Sequence, residues 1–166
     1  MGARIEHSVT YSPSIETVHA AFTSEQYWKD RLEQIGGPGA QLVGFTAGDG
    51  SVTVEMVQTI PAAKLPSAVT AVRPGDLQIN RTETWGPLTD TATGGFTAEV
   101  KGAPGDIRGA RTLSRDGEGT RMRVDGTVEV KIPLLGGAIE NVIVEQLRKL
   151  LAREDEFNVS WFSSAK

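Results

Sequence analysis

The hydrophobic pattern at the end of the chain predicts one long amphipathic helix, from Pro133 to Phe162. Its apolar side chains recur at three- and four-residue spacing, which aligns them on one helical face. They are Ile139, Val142, Ile143, Leu147, Leu150, Leu151, Phe157 and Trp161. A helix of about 28 residues is roughly 42 Å long, and we expect so long an apolar face to lie across a sheet. Gly136 and Gly137 are expected to let its first turn approach that sheet closely.

Most of the chain before this helix alternates between apolar and polar residues, the pattern of strands with one buried face. Short Gly-rich connections, such as Gly48–Gly50 and Gly102–Gly105, separate the segments. Connections this short join antiparallel neighbours, because parallel strands need long crossovers. The predicted strands are Arg4–Tyr11, Gln41–Ala47, Ser51–Ile60, Leu77–Trp85, Asp90–Lys101, Ile107–Arg115 and Thr120–Ile132.

Two short helices are predicted between the first and second strands. Ser12-Pro13 favours a helix start, because the hydroxyl can cap and proline suits the first helical position. The buried faces of the two helices are predicted to hold Ile15, Val18, Phe22, Tyr27, Trp28 and Leu32. A further segment, Leu65–Gly75, is too long for a hairpin turn and too apolar for a solvated loop. It is a short helix or lid over the sheet, or an ordinary packed connection.

Composition and charge narrow the class of protein. The formal net charge of −4 argues against a general nucleic-acid binder, which normally carries a high pI. With two histidines and no cysteine, we expect no disulfide, no metal site and no other cofactor. No apolar run approaches the ~18 residues of a membrane span, and no secretory signal opens the chain. We therefore expect a single cytoplasmic domain over residues 1–166, without nucleic-acid or integral membrane partners, and favour a monomer.

One stretch is locally basic, from Lys101 to Lys131. It holds seven basic residues, among them Arg108 and Arg111, and five acidic ones, which leaves a local charge of +2. Interleaved charges of both signs are typical of a solvated strand face, and we interpret this stretch in that way.

Three stretches carry a resemblance to a known superfamily: Tyr11–Val18, Arg81–Trp85 and Val128–Glu140. Together with the element order, they resemble the START / polyketide-cyclase-like (SRPBCC) superfamily, and especially a bacterial branch of unknown function. The resemblance implies an α+β helix-grip fold, a curved antiparallel seven-stranded sheet wrapped around the C-terminal helix, with two short helices between strands 1 and 2. It also implies an apolar cavity between sheet and helix.

Side chains at every second position of a strand lie on the same face of the sheet. If the apolar ones face inward, they predict the wall of that cavity. The predicted ligand-binding residues are His7, Val9, Tyr11, Val54, Met56, Ile79, Arg81, Glu83, Trp85, Phe96, Ala98, Met122, Val124, Ile143, Leu147 and Leu150. Such a lining suits a lipid, a polyketide or another small hydrophobic molecule. Alternatively, the same side chains interdigitate and leave no void.

Polar residues interrupt these apolar faces. Arg81 and Glu83 occupy positions of their strand that are expected to face inward. Facing inward, they either pair with each other or hold the polar end of a ligand. Alternatively, the strand bulges or lies at the end of the sheet, and both side chains lie in solvent. In a ligand site Arg81 would take a carboxylate or phosphate. His7 is either a core histidine bonded to a carbonyl group or a general base. His19 is expected at the surface.

Binding is the leading functional hypothesis, because no serine-hydrolase elbow, phosphate-binding loop, dinucleotide fingerprint or zinc-protease motif occurs. We expect a carrier of a small hydrophobic ligand and assign no catalytic residue. The alternative is an aromatase/cyclase- or hydrolase-like enzyme, which requires His7, Tyr11, Arg81 and Glu83 to converge on one ligand position. A third possibility is an interaction module with an exposed apolar patch, to which Trp28, Trp161 and Phe162 could contribute, although these residues are more simply core.

Overall fold

The computed structural model describes residues 2–37, 39–64, 67–72, 74–101 and 105–164. Within these ranges the strands are β1 Ala3–Tyr11, β2 Gln41–Gly48, β3 Ser51–Ile60, β4 Leu77–Trp85, β5 Ala92–Val100, β6 Gly105–Asp116 and β7 Gly119–Val130. The α-helices are α1 Ile15–Phe22, α2 Glu25–Ile35, α3 Ser67–Val72 and α4 Gly136–Ser164, and a single 3-10 turn covers Ala62–Lys64.

The seven described strands form one antiparallel sheet in the order β1-β7-β6-β5-β4-β3-β2. Strands β2 to β7 follow one another as neighbours, and β1 closes onto β7 with Ile5 opposite Gly126. Helices α1 and α2 therefore connect opposite edges of the sheet, while α4 packs against β1, β7 and α2. This arrangement confirms the predicted α+β helix-grip fold.

The start of α4 differs from the prediction. The helix begins at Gly136, because Leu134, with a φ of 69°, has a backbone outside the helical region. The side chain of Leu134 is fully exposed. A Cβ on Gly136 would lie 2.5 Å from the carbonyl oxygen of Val130, so glycine permits the close approach of this turn to β7. A Cβ on Gly137 would meet nothing within 4 Å, so the predicted role of that second glycine is wrong.

Other boundaries shift by a few residues. Strand β5 is shorter than predicted at both ends, and β6 begins at Gly105. The hydroxyl of Ser14, and not that of Ser12, caps α1 by accepting a hydrogen bond from the Thr17 N–H at 3.3 Å. Within the segment predicted as a helix or a packed connection, residues 67–72 form α3. Leu65, Pro66 and Arg73 of that segment lie outside the described residues, as do Pro38 and residues 102–104 of the predicted turns.

Aromatic side chains join α1, α2, β4 and the end of α4 at one end of the core. The ring of Phe22 stacks on Trp85 at 5.3 Å, Tyr27 contacts Phe157 at 5.7 Å, and Tyr11 meets Phe162 edge to face at 5.3 Å. Burial of each large apolar side chain stabilises the fold by about 1.5–3 kcal/mol. Trp28 and Phe162 are buried as well, which confirms the prediction that they belong to the core.

Polar side chains attach both ends of α4 to the rest of the fold. Near the start, Glu140 Oε2 accepts a hydrogen bond from the Val130 N–H at 2.8 Å. Near the end, the Trp161 indole N–H donates to Asp30 Oδ2 at 2.9 Å. The middle turns, with Ile143 and Leu147, present apolar side chains to the core. No helix within the described residues combines the length and the hydropathy that a membrane span needs.

Candidate functional site

A small cavity of about 50 Å³ lies between the sheet and the middle of α4. The sheet contributes Ile5, Ile79, Phe96, Ala98, Ile107 and Val124, and α4 contributes Leu147, Leu150 and Leu151. Three polar side chains complete the lining, Gln58 on β3, Arg81 on β4 and Arg111 on β6. The cavity is therefore mainly apolar with a polar group on one side.

A larger, partly open cleft of about 420 Å³ adjoins this cavity and shares Gln58, Ile79 and Leu150 with it. The end of α2 and the end of β3 form one wall, and α4 forms the other with Gln146, Lys149 and Arg153. Gly37 has a φ of 84° and lies where a Cβ would be 2.7 Å from the Thr59 carbonyl oxygen. Glycine thus lets the chain turn tightly at the edge of the cleft.

Beside the cavity lie five buried charged side chains, which we call the buried charge cluster: Arg31, Arg81, Glu83, Arg111 and Glu154. Arg81 lies 3.0 Å from both Glu83 Oε2 and Glu154 Oε2. Arg31 is 3.3 Å from Glu83 and also forms a close ion pair with Glu154. Arg111 Nη1 pairs closely with Glu83, and its Nη2 is 3.7 Å from Glu154 Oε1. Each carboxylate therefore contacts all three guanidinium groups.

Secondary-structure periodicity brings these charges together from four elements. Arg81 and Glu83 occupy alternate positions of β4 and so share its inner face. Arg111 lies on the same side of the sheet from β6, opposite Val124 of β7. Arg31 follows Tyr27 by four residues on α2, and Glu154 precedes Phe157 by three on α4, so each lies on the buried face of its helix.

The buried charge cluster carries a net positive charge. Burial alone would raise the pKa of the Glu154 carboxyl, but Arg31, Arg81 and Arg111 together outweigh burial and lower the pKa to about 2. The pKa of Glu83 is also lowered, because the same three arginines overcome its burial. Both glutamates are therefore ionised near neutral pH, and three arginines against two glutamates leave a net charge of +1.

A second set of polar side chains, the tyrosine network, links β1, α2 and α4. His7 Nε2 lies 2.6 Å from Asp155 Oδ2, and the Tyr11 hydroxyl donates to Asp155 Oδ1 at 3.0 Å. Asn158 donates to the Tyr11 oxygen at 2.9 Å and accepts a short hydrogen bond from the Tyr27 hydroxyl. Burial raises the pKa of both tyrosines, that of Tyr27 to about 12, so both hydroxyls stay protonated near neutral pH.

The sequence matches a family model, "Protein of unknown function (DUF2505)", over residues 6–162. The chain belongs to this family. An uncharacterized protein of Mycobacterium tuberculosis is 34% identical, over 99% of each chain.

Solved structures support the fold of this DUF2505 protein. A START superfamily protein from Mycobacterium smegmatis is similar with a TM-score of 0.53 and 14% identity, over 95% of this chain and 97% of that one. An aromatase/cyclase from Streptomyces sp. R1128 gives a TM-score of 0.57 and 10% identity, over 98% and 92%. At these identities the likeness shows the fold alone, which is the START/SRPBCC-like fold that the sequence predicted.

The predicted ligand-binding residues of the DUF2505 protein divide into two groups. Those that line the cavity are Ile79, Arg81, Phe96, Ala98, Val124, Leu147 and Leu150. Those that do not line it are His7, Val9, Tyr11, Val54, Met56, Glu83, Trp85, Met122 and Ile143. Most of the second group lies in the packed core or in the two polar networks, whereas Val9 and Ile143 are half-buried and pack against that core.

Sequence reasoning missed four members of the polar site: Arg31, Gln58, Arg111 and Glu154. Gln58 shares the inward parity of Val54 and Met56, so alternation along β3 could have identified it. Arg31 and Glu154 lie three or four residues from apolar residues on the same helix face, so helical periodicity could also have identified them. Arg111 was placed on a solvated strand face, and this interpretation is wrong for Arg111, although Arg108 and Arg121 are exposed.

Both histidines have partners that the sequence did not predict. His19 is buried, with its Nε2 atom 2.8 Å from the Gly86 carbonyl oxygen, so the expected surface position is wrong. His7 is half-buried beside the Asp155 carboxylate and not beside a carbonyl group. No group of three or more His, Asp or Glu side chains within the described residues is placed to hold a metal ion.

The four residues on which the enzyme hypothesis depends have two different sets of partners. His7 and Tyr11 meet at Asp155, whereas Arg81 and Glu83 meet each other and Arg31 and Glu154. Direct contacts among the described residues therefore join these four side chains in two pairs and not in one group. Of the residues named for the interaction-module hypothesis, Trp28 and Phe162 are buried, and Trp161 is half-buried with its indole N–H bonded to Asp30.

Proposed function

We propose that this protein binds a small hydrophobic ligand in the space between its sheet and α4. The observation that carries the proposal is an apolar cavity that adjoins an open cleft, with Gln58, Ile79 and Leu150 in the lining of both. Small-molecule sites commonly occupy about 300–1,000 Å³ and combine apolar walls with a few polar groups. A cavity of about 50 Å³ is too small alone, so the ligand fills both the cavity and the cleft.

Entry from the cleft is the simplest route for such a ligand. The mouth lies between the end of β3 and α4, and Leu150 contacts both spaces. Passage through this mouth leaves the aromatic core around Phe22 and Trp85 in place. The apolar part of the ligand then contacts Ile79, Leu147 and Leu150.

Filling the cavity tests this proposal. Ala98 is buried in the cavity wall, and Ala98→Leu places additional methyl groups in a space of about 50 Å³. We expect Ala98→Leu to weaken the binding of the neutral dye Nile red at least tenfold, measured by fluorescence titration. Thr97→Leu is the matched control, because Thr97 is the exposed neighbour on the other face of β5 and should bind like wild type. Thermal unfolding of both variants verifies that the fold is kept.

Two results would contradict the proposal. The first is a wild-type protein that binds neither Nile red nor other neutral apolar probes. The second is an Ala98→Leu protein that is folded and binds the dye with wild-type affinity.

A further inference from the structure

The buried charge cluster holds one positive charge that no described protein carboxylate balances. Its three arginines face two glutamates, and the three guanidinium groups keep both glutamates ionised. A buried charge without a partner is unfavourable, because it has lost its hydration. An additional anion beside the cluster would remove this imbalance.

Arg111 is the member of the cluster with unused hydrogen-bonding capacity. Its side chain is 6% exposed, and its Nε–H is buried without a hydrogen-bond partner among the described residues. Among the described residues, Nη1 is engaged by Glu83 and Nη2 lies 3.7 Å from Glu154 Oε1. The Nε and Nη2 atoms form one edge of the planar guanidinium group, the edge that can donate two parallel hydrogen bonds to a carboxylate.

Arg111 also belongs to the lining of the proposed ligand site. Arg111 lines the cavity together with Arg81 and Gln58, and its guanidinium carbon lies 5.0 Å from the centre of the Phe96 ring. Contact with the ring restricts the orientation of the guanidinium plane. An anionic group that enters the cavity therefore meets an arginine that is already positioned.

The cleft that adjoins the cavity is also positive. Lys149 and Arg153 are exposed side chains on its α4 wall, and no carboxylate belongs to its described lining. Clefts lined by one sign of charge raise the local concentration of ligands of opposite charge.

From these observations we infer that the ligand is an amphipathic monocarboxylate, bound with its carboxylate against Arg111 and Arg81 and its apolar part against Ile79, Leu147 and Leu150. The inference rests on the proposed function and specifies the class of ligand. The net charge of +1 matches a monoanion, whereas a phosphate monoester would leave excess negative charge in the buried site. The apolar lining outside the three polar residues fits a hydrocarbon or aromatic body.

A set of ligands that differ only in the head group tests the inference on the wild-type protein. Decanoate, decanol and decyl phosphate carry the same alkyl chain, and isothermal titration calorimetry at pH 7.5 gives their affinities. We expect decanoate to bind at least about tenfold more tightly than decanol, because charge-assisted hydrogen bonds form only with the acid. Decyl phosphate should bind more weakly than decanoate.

The outcomes separate the two proposals. Equal affinities for decanoate and decanol would overturn the carboxylate assignment and leave hydrophobic binding intact. Tightest binding by decyl phosphate would also overturn it. Binding of none of the three probes would overturn the proposed function itself, and the carboxylate assignment with it.

Substitution of Arg111 tests whether its side chain binds the carboxylate of the ligand. In Arg111→Gln we expect at least tenfold weaker binding of decanoate and an affinity for decanol within twofold of wild type. Arg108→Gln is the matched control, since Arg108 lies on the same strand and is exposed in a pair with Asp106. A folded Arg111→Gln protein that keeps the wild-type ratio of decanoate to decanol affinity would overturn the assignment.

A spectroscopic measurement on the wild-type protein covers the case in which Arg111→Gln does not fold. The carboxyl carbon of ¹³C-labelled decanoate reports its own protonation by NMR. Bound against arginine, it should stay ionised to lower pH than in free decanoate, because nearby positive charge favours the anion. An unchanged or raised pKa in the complex would overturn the inference.

Discussion

At the scale of single residues, Glu83 is the centre of the buried charge cluster. Its carboxylate lies 3.0 Å from Arg81 and 3.3 Å from Arg31 and pairs closely with Arg111. The three guanidinium groups come from α2, β4 and β6, so one side chain connects three elements. Without this carboxylate, three buried cations would face Glu154 alone.

Glu83→Gln should therefore be strongly destabilising. Removal of one partner from a buried ion pair typically costs about 3–5 kcal/mol, because the other charge stays buried without compensation. We expect a loss of this size in the free energy of unfolding, measured by urea denaturation. Glu16→Gln provides the control, since Glu16 pairs with Arg115 at 2.8 Å in solvent and should change stability little. Wild-type stability of Glu83→Gln would mean that the cluster contributes nothing to folding.

At the scale of elements, α4 and β4 show what the sequence could predict. The apolar spacing correctly placed Ile139, Leu151 and Phe157 on the buried face of α4, although it missed Val144. Alternation along β4 placed Arg81 and Glu83 inward. Both signals are local, because they depend only on the helix and strand repeats. The partners of these charges were not predictable, since Arg31 and Arg111 reach Glu83 from other elements through the final packing. A polar residue on an otherwise apolar helix face, such as Glu154, indicates a position where a buried ion pair forms.

The two glycines at the start of α4 should respond differently to substitution. Gly136→Ala should destabilise the protein by about 1–3 kcal/mol, because its Cβ would lie 2.5 Å from the Val130 carbonyl oxygen. Gly137→Ala meets open space and should be neutral or stabilise by up to about 1 kcal/mol, since alanine favours helix. Chemical denaturation of both variants measures the difference. Equal effects would contradict the close contact at Gly136.

At the scale of the whole molecule, folding stability is linked to pH through the buried charge cluster. A carboxyl group with a pKa lower in the folded than in the unfolded state stabilises the fold at pH values above its unfolded pKa. This stabilisation disappears as the pH falls through the folded pKa. For Glu154 the decisive range extends from its ordinary value of 4.5 down to about 2, and the lowered pKa of Glu83 acts in the same direction.

We therefore expect the midpoint of urea unfolding to fall steeply between pH 5 and pH 2.5, within the range set by the lowered pKa of Glu154, about 2. Glu154→Gln removes one titrating group, so its stability should be lower at neutral pH and depend less on pH over this range. Glu145→Gln is a control on the same helix, in an exposed pair with Arg148. A pH dependence of Glu154→Gln as steep as that of wild type would contradict the linkage.

The two attachments of α4 have a consequence for how the molecule can accommodate a ligand. Glu140 holds the first turns, and Glu154, Asp155, Asn158 and Trp161 hold the last ones. Between positions 140 and 154, no described side-chain bond joins the helix to another element, and only apolar contacts keep it on the sheet. The middle turns, which line the cavity with Leu147, Leu150 and Leu151, are therefore held by fewer described polar contacts than the two ends. If those turns moved away from the sheet, the cavity would enlarge, and the ion pairs and hydrogen bonds at the two ends of the helix would stay intact.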